Sequence, residues 1–496
     1  MAEETRRAIC DPWWRQHTTG LRPFDRFSGV HKTGVLVIGG GITGLSTALE
    51  LHDRGFNVTV CEANRIGAGT TAGSSGHLDA HPEMGPRQLI DQLGREDAVT
   101  YTSLRQAAID RIEQRSGEAA DFARVDAYYY SDSAADRSSL EEDLGAAQQL
   151  GLDAAWCEDV PIERAVFGYR LRRMGRFNSA QYLHRLAEQC RERGVRIYEN
   201  TMVPSPQESE PTSLQVNSGR IEFEHLVSAT HSNFISGIPL YAATPPYQSY
   251  LLVAKVARAP VDALFWDNSD PYYYVRRVGA AEESLVMVGG RDHRTGMGDP
   301  LQSLRELEQW ADERFGLQQI EKRWSAELFE PTDGLPMIGL APGKKNIWVA
   351  TGLSGVGLTL GTVAGHLLAE AIDGKAMPLE EPLSPSRLAL SGEWASEQTK
   401  ATANVSQRVL PAENVAPAAL QPGEGAVGKV DDQHVAVCRD RQGCEHRFSP
   451  VCPHMGGVVH WNELEQTWDC ALHGGRFSAD GQRLYGPPEQ GLDAPS

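Results

Sequence analysis

Two stretches of this chain hold the residues whose types and spacing could do chemistry. Cys452-Pro453-His454 and Cys470-Ala471-Leu472-His473 lie fifteen residues apart and offer two thiolates and two imidazoles. A zinc ribbon accepts that set. Far upstream, Gly39-Gly40-Gly41-Ile42-Thr43-Gly44 gives G-x-G-x-x-G, and Glu62 follows. There Gly39 permits a tight turn, Gly41 lets the backbone approach a pyrophosphate, and Gly44 lets helix and strand pack closely. Ile42 and Thr43 open a helix whose free N–H groups attract phosphate, and Glu62 can accept hydrogen bonds from a ribose diol.

The elements that must position these residues are legible around the glycines. Val35-Leu36-Val37-Ile38 is a β-branched apolar run that reads as a buried parallel strand. Leu45, Ala48, Leu49 and His52 carry a helical pattern to Gly55, and residues 57–61 form a second strand ending on Glu62. Strand, turn, helix, strand and terminal acid in this order outweigh an isolated glycine turn. The run from Arg65 through Gly69, Thr70, Thr71 and Gly76 to His77 is small and hydroxylated. It exposes backbone N–H groups as a nest around phosphate or a ring would. His77 and His81 flank Asp79; a mononuclear iron could use that spacing, but an ordinary loop pair is the favoured reading.

The chain has 496 residues, a formal net charge of -19 and eight scattered cysteines. Length predicts several domains. The charge argues against nucleic acid or an anionic membrane as a partner, and the cysteines suit a reducing cytoplasm. Arg6-Arg7 has no apolar core after it, so no secretory or twin-arginine signal is expected. Residues 347–372 are long and apolar enough for a membrane span but crowded with glycine. They read as strand, glycine turn and buried helix, with no membrane insertion.

The fingerprint together with R-I-G-x-G-T-T resembles the D-amino-acid-oxidase-like superfamily of FAD-dependent oxidoreductases. The resemblance implies a Rossmann-like FAD domain and an antiparallel-sheet substrate domain. It places Glu62 on the adenosine ribose, the loop from Gly69 to Gly76 along the flavin, and the Val203 backbone against adenine. Some relatives attach FAD through a histidine near this loop, but His77 is offset from that pattern. Residues 333–339 resemble the superfamily's D-G-x-P-x-x-G, and Gly352, Ser354, Gly355, Val356 and Gly357 match its last FAD segment. In the substrate sheet, strands are expected at 248–256, 272–276 and 285–290, with a turn at 291–296. Thr201-Met202-Val203 is read as a further short strand. Tyr250, Tyr274, Arg276 and His293 are the candidate substrate-facing groups, because Arg and Tyr can clamp a carboxylate.

The Cys-x-His and Cys-x-x-His pairs, with Gly474-Gly475-Arg476-Phe477 and Gly486-Pro487-Pro488, resemble a Rieske [2Fe–2S] domain. In that fold Cys452 and Cys470 would hold one iron, His454 and His473 the other. Many Rieske domains carry a further cysteine in each loop, forming a disulfide. Gly457 and Leu472 occupy those positions here, which resembles the ferredoxin-like branch.

The expected organisation is α/β plus α+β, followed by a small all-β domain. Residues 1–33 form an N-terminal arm. Residues 34–375 form the flavin part, with FAD binding at 34–84, 151–234 and 326–375 and the substrate domain at 85–150 and 235–325. Residues 376–424 form a Pro-rich linker with a helical piece, and 425–496 the Rieske domain. The expected activity is oxidation of a small amine or amino acid by hydride transfer to FAD, with electrons passed to the Rieske cluster. The rival readings are reversed flow from cluster to flavin, and an electron-transfer protein serving a partner oxygenase. No second dinucleotide fingerprint indicates NAD(P)H.

Overall fold

The computed structural model describes residues 11–232, 235, 238–387, 392–408 and 413–495. The start of the arm and two pieces of the linker, 388–391 and 409–412, therefore lie outside the described residues.

A six-stranded sheet organises the dinucleotide half. Its order is Met337–Leu340, Ile347–Thr351, His225–Ser228, Val35–Ile38, Val58–Cys61 and Arg196–Tyr198, parallel except for the first pair. Val35–Ile38 is buried along its whole length, as a central parallel strand with helices on both faces must be. Helix Ile42–Asp53 rises directly from the glycine turn and packs on helix Gly357–Ile372. Small residues allow that approach: a Cβ on Gly365 would lie 2.8 Å from the Ser46 Cβ and from the Thr47 nitrogen. Helical residues 354–372 are long and apolar enough to cross a membrane, yet most of that stretch is buried as core.

The second layer is a nine-stranded, largely antiparallel sheet. Its long strand Pro246–Val256 is flanked by Leu285–Arg294 and Leu317–Phe329. Residues 291–294 are therefore not the expected turn. They continue the strand, because Tyr247 and Gln248 extend the ladder to pair with Arg294 and His293 across a bulge. Residues 201–203 form no strand; they are held by loop contacts, with the Thr201 nitrogen donating to the Glu62 carbonyl at 2.8 Å.

The arm does more than pack. Trp13 and Trp14 are buried, and residues Val30–Lys32 add a parallel strand to Gly219–Glu222. The helical piece of the linker, Gly392–Ser406, buries Glu397 and Asn404 between the flavin part and the C-terminal domain. That last domain is a three-stranded and a four-stranded antiparallel sheet. A fully buried Arg476–Asp469 pair, 2.9 Å apart, sits inside it.

Candidate active site and electron-transfer module

A cavity of about 1270 Å³ opens between the two large sheets. It exceeds the ~300–1,000 Å³ usual for one small-molecule ligand, so a dinucleotide and a substrate can share it. At one end the glycine turn supplies backbone. Gly39 has φ 106°, and a Cβ there or on Gly44 would collide with a neighbouring carbonyl. A Cβ on Gly41 would point at Thr71 Oγ1 from 3.2 Å, the same oxygen that accepts from the Ile42 nitrogen. Glu62 lines this end and accepts from the Gly40 and Asn64 nitrogens, each at 2.8 Å. Burial pushes its carboxyl up. Thr43, Arg65, Gly69, Thr70, Thr71 and Val203 also border the cavity. These groups present N–H donors and one acid, the donor set that a phosphate and a ribose diol require.

The loop beyond Gly69 is held from behind by its carbonyls. Trp14 Nε1 donates to the Ser74 carbonyl at 2.6 Å, and Trp324 Nε1 to that of Gly73 at 2.7 Å. Arg276 Nη1 donates to the carbonyls of Gly76 at 2.6 Å and Phe177 at 3.1 Å. With φ 75° and a Cβ that would meet Arg276 Nη1, Gly76 tolerates no side chain. Arg276 is thus fully buried as a fastener of this loop and does not reach the cavity. That corrects its assignment as a substrate clamp.

Strand alternation corrects two more expected groups. Ser249 and Leu251 face the cavity, so Tyr250 between them points to the other side of the sheet. Its hydroxyl meets His293 Nε2 at 2.8 Å, and His293 Nδ1 meets the Arg294 carbonyl at 2.9 Å. Asp292, one residue before His293, is the group that enters the cavity. Tyr274 does face it, with its hydroxyl 3.1 Å from Ser249 Oγ.

Beside Tyr274 stand groups that the sequence did not single out: Tyr272, Trp266, Tyr129, Glu83, Asp292 and Glu330. Burial raises the Asp292 carboxyl to about 6 and that of Glu83 to about 7, and pushes Glu330 well up. Ser354, at φ 49°, and Gly355 border the same space; a Cβ on Gly355 would lie 2.7 Å from the Glu83 carboxylate. Val356 and Gly357 continue that wall into the helix N-terminus. Gly352 lies behind it, against Thr244. His77 is engaged at both nitrogens, by Ser75 Oγ at 2.8 Å and the Val275 carbonyl at 3.3 Å. His81 turns to the Tyr169 hydroxyl at 2.7 Å. Both histidines border the cavity, each with its own partners.

The C-terminal domain closes the cavity rather than hanging beyond a spacer. Arg483 and Tyr485 line it. Asn64 Nδ2 donates to the Leu484 carbonyl at 3.1 Å, and the Ser205 nitrogen to Glu489 Oε1 at 3.0 Å. Glu465 accepts from the Ser325 nitrogen and hydroxyl at 2.7 and 2.8 Å. Arg294 joins the domains through the Ala471 carbonyl, at 3.1 Å, and an ion pair with Glu397.

In this domain Cys452 and Cys470 lie side by side, each shifting the other's ionisation. The His454 and His473 rings are 5.0 Å apart, and buried His454 Nδ1 has no hydrogen-bond partner. Among the described residues, no three His, Cys, Asp or Glu side chains converge as ligands of a single ion. Two thiolates and two imidazoles in separate pairs instead fit a two-iron cluster with mixed ligands. A Cβ on Gly457 would lie 2.9 Å from the Leu472 Cβ, so the two positions expected to carry a brace do adjoin. Both imidazoles face Tyr241 of helix Ile238–Ala243, with ring centroids 5.1 and 4.4 Å away.

The fold and site together define a two-sheet dinucleotide flavoprotein joined to an iron–sulfur module. The chain belongs to the FAD dependent oxidoreductase family, whose model matches residues 34–371, and residues 412–495 match the Rieske [2Fe-2S] domain. It is therefore an FAD-dependent enzyme with a Rieske-type cluster as its second cofactor. It is 30% identical over 489 residues, 96% of either chain, to the Rieske 2Fe-2S iron-sulfur protein YhfW of Bacillus subtilis (strain 168). It is 24% identical to the gamma-glutamylputrescine oxidoreductase of Escherichia coli (strain K12), over 71% of this chain and 87% of that one. The L-proline dehydrogenase structure from P. horikoshii superimposes with a TM-score of 0.60 at 19% identity, covering 72% of this chain and 98% of that one.

Proposed function

We propose that the protein oxidises a small amine or amino acid at a C–N bond and that the electrons leave through its own Rieske domain. The observation that carries the second half is the direction of the two imidazoles. His454 and His473 are turned onto Tyr241 of the flavin part, and helix Ile238–Ala243 leads directly to Thr244, which packs on Gly352. An outward-facing relay would present that edge to solvent. The relatives named for γ-glutamylputrescine and L-proline support the amine or amino-acid half.

Bound in this chain, FAD supplies a two-electron acceptor and the cluster a one-electron carrier. The residues proposed to hold the dinucleotide are Gly39, Gly41, Ile42, Thr43, Glu62 and the loop through His77. The N-terminus of helix Gly357–Ile372 borders the cavity, where it would stabilise negative charge on a bound flavin. Cys452, Cys470, His454 and His473 are the proposed cluster ligands. The protein's part in the chemistry is to place the substrate's C–H bond, exclude water and take the ammonium proton. Glu83, whose carboxyl ionises near neutrality, is suited to that last role.

Cys470→Ser tests the relay. In a single anaerobic turnover, substrate should still bleach the flavin of this variant at a near-normal rate. Steady turnover with a one-electron acceptor should collapse. Unchanged steady turnover would remove the cluster as the exit. Loss of bleaching with FAD still bound would favour the reversed flow.

A further inference from the structure

Among the described residues, twelve Asp and Glu side chains line the cavity, against two arginines, Arg65 and Arg483. Both arginines belong to the dinucleotide end: Arg65 follows Glu62 in the loop, and Arg483 exerts its charge on Glu62. Around Tyr274 the balance is wholly acidic. Asp292 arrives from strand Leu285–Arg294, Glu330 from the end of strand Leu317–Phe329, and Glu83 from the loop after His81. Asp292 Oδ1 has no hydrogen-bond partner. Glu327, 1% exposed, pairs with Gln248 on the face that carries Tyr250 and lies against Gly474 of the C-terminal domain, so it is not part of this cluster. The cation that acts on Glu83 is Arg105, 1% exposed behind the wall, which donates to the Asp79 carbonyl at 3.2 Å. Burial, joined for Glu330 by the neighbouring Glu83 and Asp292, displaces all three carboxyls toward the protonated form.

The walls between these acids are aromatic. Tyr129 stacks on Trp266 with centroids 5.1 Å apart, and Tyr272 and Tyr274 are 6.0 Å apart. Aromatic faces beside carboxylates are the recognised chemistry of an ammonium site. A substrate carboxylate would meet here no guanidinium and no ammonium among the described lining residues, and above pH 6 would face the ionised Asp292.

We infer that the substrate is a cationic amine that carries a second positive charge and no carboxylate near the reacting nitrogen, held by Asp292, Glu330 and Glu83 among the aromatic walls. This narrows the proposed oxidation of an amine or amino acid and rests on that reading for the identity of the cavity.

The test is equilibrium binding to the anaerobic holoprotein, by titration calorimetry, of 1,4-diaminobutane, glycine and L-proline. The diamine is expected to bind, and to weaken with added salt. It should lose about tenfold or more of its affinity in Asp292→Asn, the cost of one charge pair in a partly enclosed site, and less in Glu330→Gln, whose carboxyl must first give up a proton to pair with the cation. FAD and iron content should be unchanged in both variants, showing that the fold persists. Tighter binding of either amino acid, undiminished diamine binding in both variants, or no diamine binding at all would overturn the inference. Flavin bleaching is read separately in the same cuvettes. Diamine binding that none of the amines converts into bleaching would contradict the oxidation and leave the cation site standing. Bleaching by glycine or proline alone would do the reverse.

Discussion

At the dinucleotide end of the cavity the binding groups are backbone. Most come from one run of chain, residues 39–77, joined by Val203 and Arg483, and the glycines keep space open. At the substrate end the groups are side chains: Tyr129, Trp266, Tyr274, Asp292 and Glu330, drawn from different strands or strand ends of the other sheet. A backbone site is fixed by local conformation, so it tolerates little change and leaves a spaced signature. A side-chain site is fixed by strand register, so a shift of one residue exchanges its whole membership.

The sharpest way to break this comparison is Gly41→Val. Its Cβ would start 3.2 Å from Thr71 Oγ1, and its methyls would enter the phosphate space. FAD content after desalting should fall by about tenfold or more, with cluster absorbance retained. Full flavin retention would reduce the fingerprint to a turn. Next in size is Arg276→Met, which leaves the buried carbonyls of Gly76 and Phe177 without their donor. A stability loss of about 2–4 kcal/mol by denaturant titration is expected, with weakened FAD retention as the loop loosens. A substrate-clamp role would instead raise KM with stability unchanged.

Acidity sharpens the contrast at the other end. Asp292 and Glu83, raised to about 6 and about 7, hold protons in the fold that they would release when unfolded. Their contribution to stability is therefore lost as pH rises from the ordinary carboxylate range through 7. Cation binding runs the opposite way and should strengthen between pH 5.5 and 7.5, as both carboxyls ionise. The other groups facing them are Glu330 and Asp79, Arg105, Tyr272 and His81. Burial keeps His81 uncharged across this window, with its ionisation lowered to about 3. Calorimetric affinity for 1,4-diaminobutane at three pH values checks the sign. The smallest effects come from a matched pair. Tyr274→Phe loses the Ser249 contact and should alter diamine affinity. Tyr250→Phe, on the far face, should leave affinity untouched while costing about 1 kcal/mol of stability through the lost His293 bond.

Much of the fold was legible because its signals are local. The β-branched run at 35–38, the glycine spacing and the paired Cys and His of the two C-terminal loops each encode their own geometry. The substrate face was only partly so. Tyr274 borders the cavity, but Tyr250 and His293 lie on the other side of the sheet, and nothing in the sequence marks the bulge between Gln248 and Tyr250. Unbroken alternation would have put Arg291 opposite Ser249, and only the bulge brings Asp292 to the cavity. Arg276 looked like a clamp because an arginine beside tyrosines fits one. Its true partners, the carbonyls of Gly76 and Phe177, are remote in sequence and carry no side-chain signal. The docking of the C-terminal domain was hidden likewise. The Pro-rich stretch reads as a spacer, yet it carries the buried Glu397 and Asn404 that fasten the two parts together.

The central claim is that flavin and cluster form one intramolecular circuit through the face that carries Tyr241. The direct measurement is anaerobic stopped-flow, mixing the enzyme with an amine that bleaches its flavin and following cluster reduction over a tenfold range of protein concentration. The account predicts that cluster reduction follows flavin bleaching with a rate constant independent of concentration, and that it slows in Tyr241→Ala with both cofactors retained. A rate that scales with protein concentration, or a cluster that stays oxidised while the flavin is bleached, would contradict it.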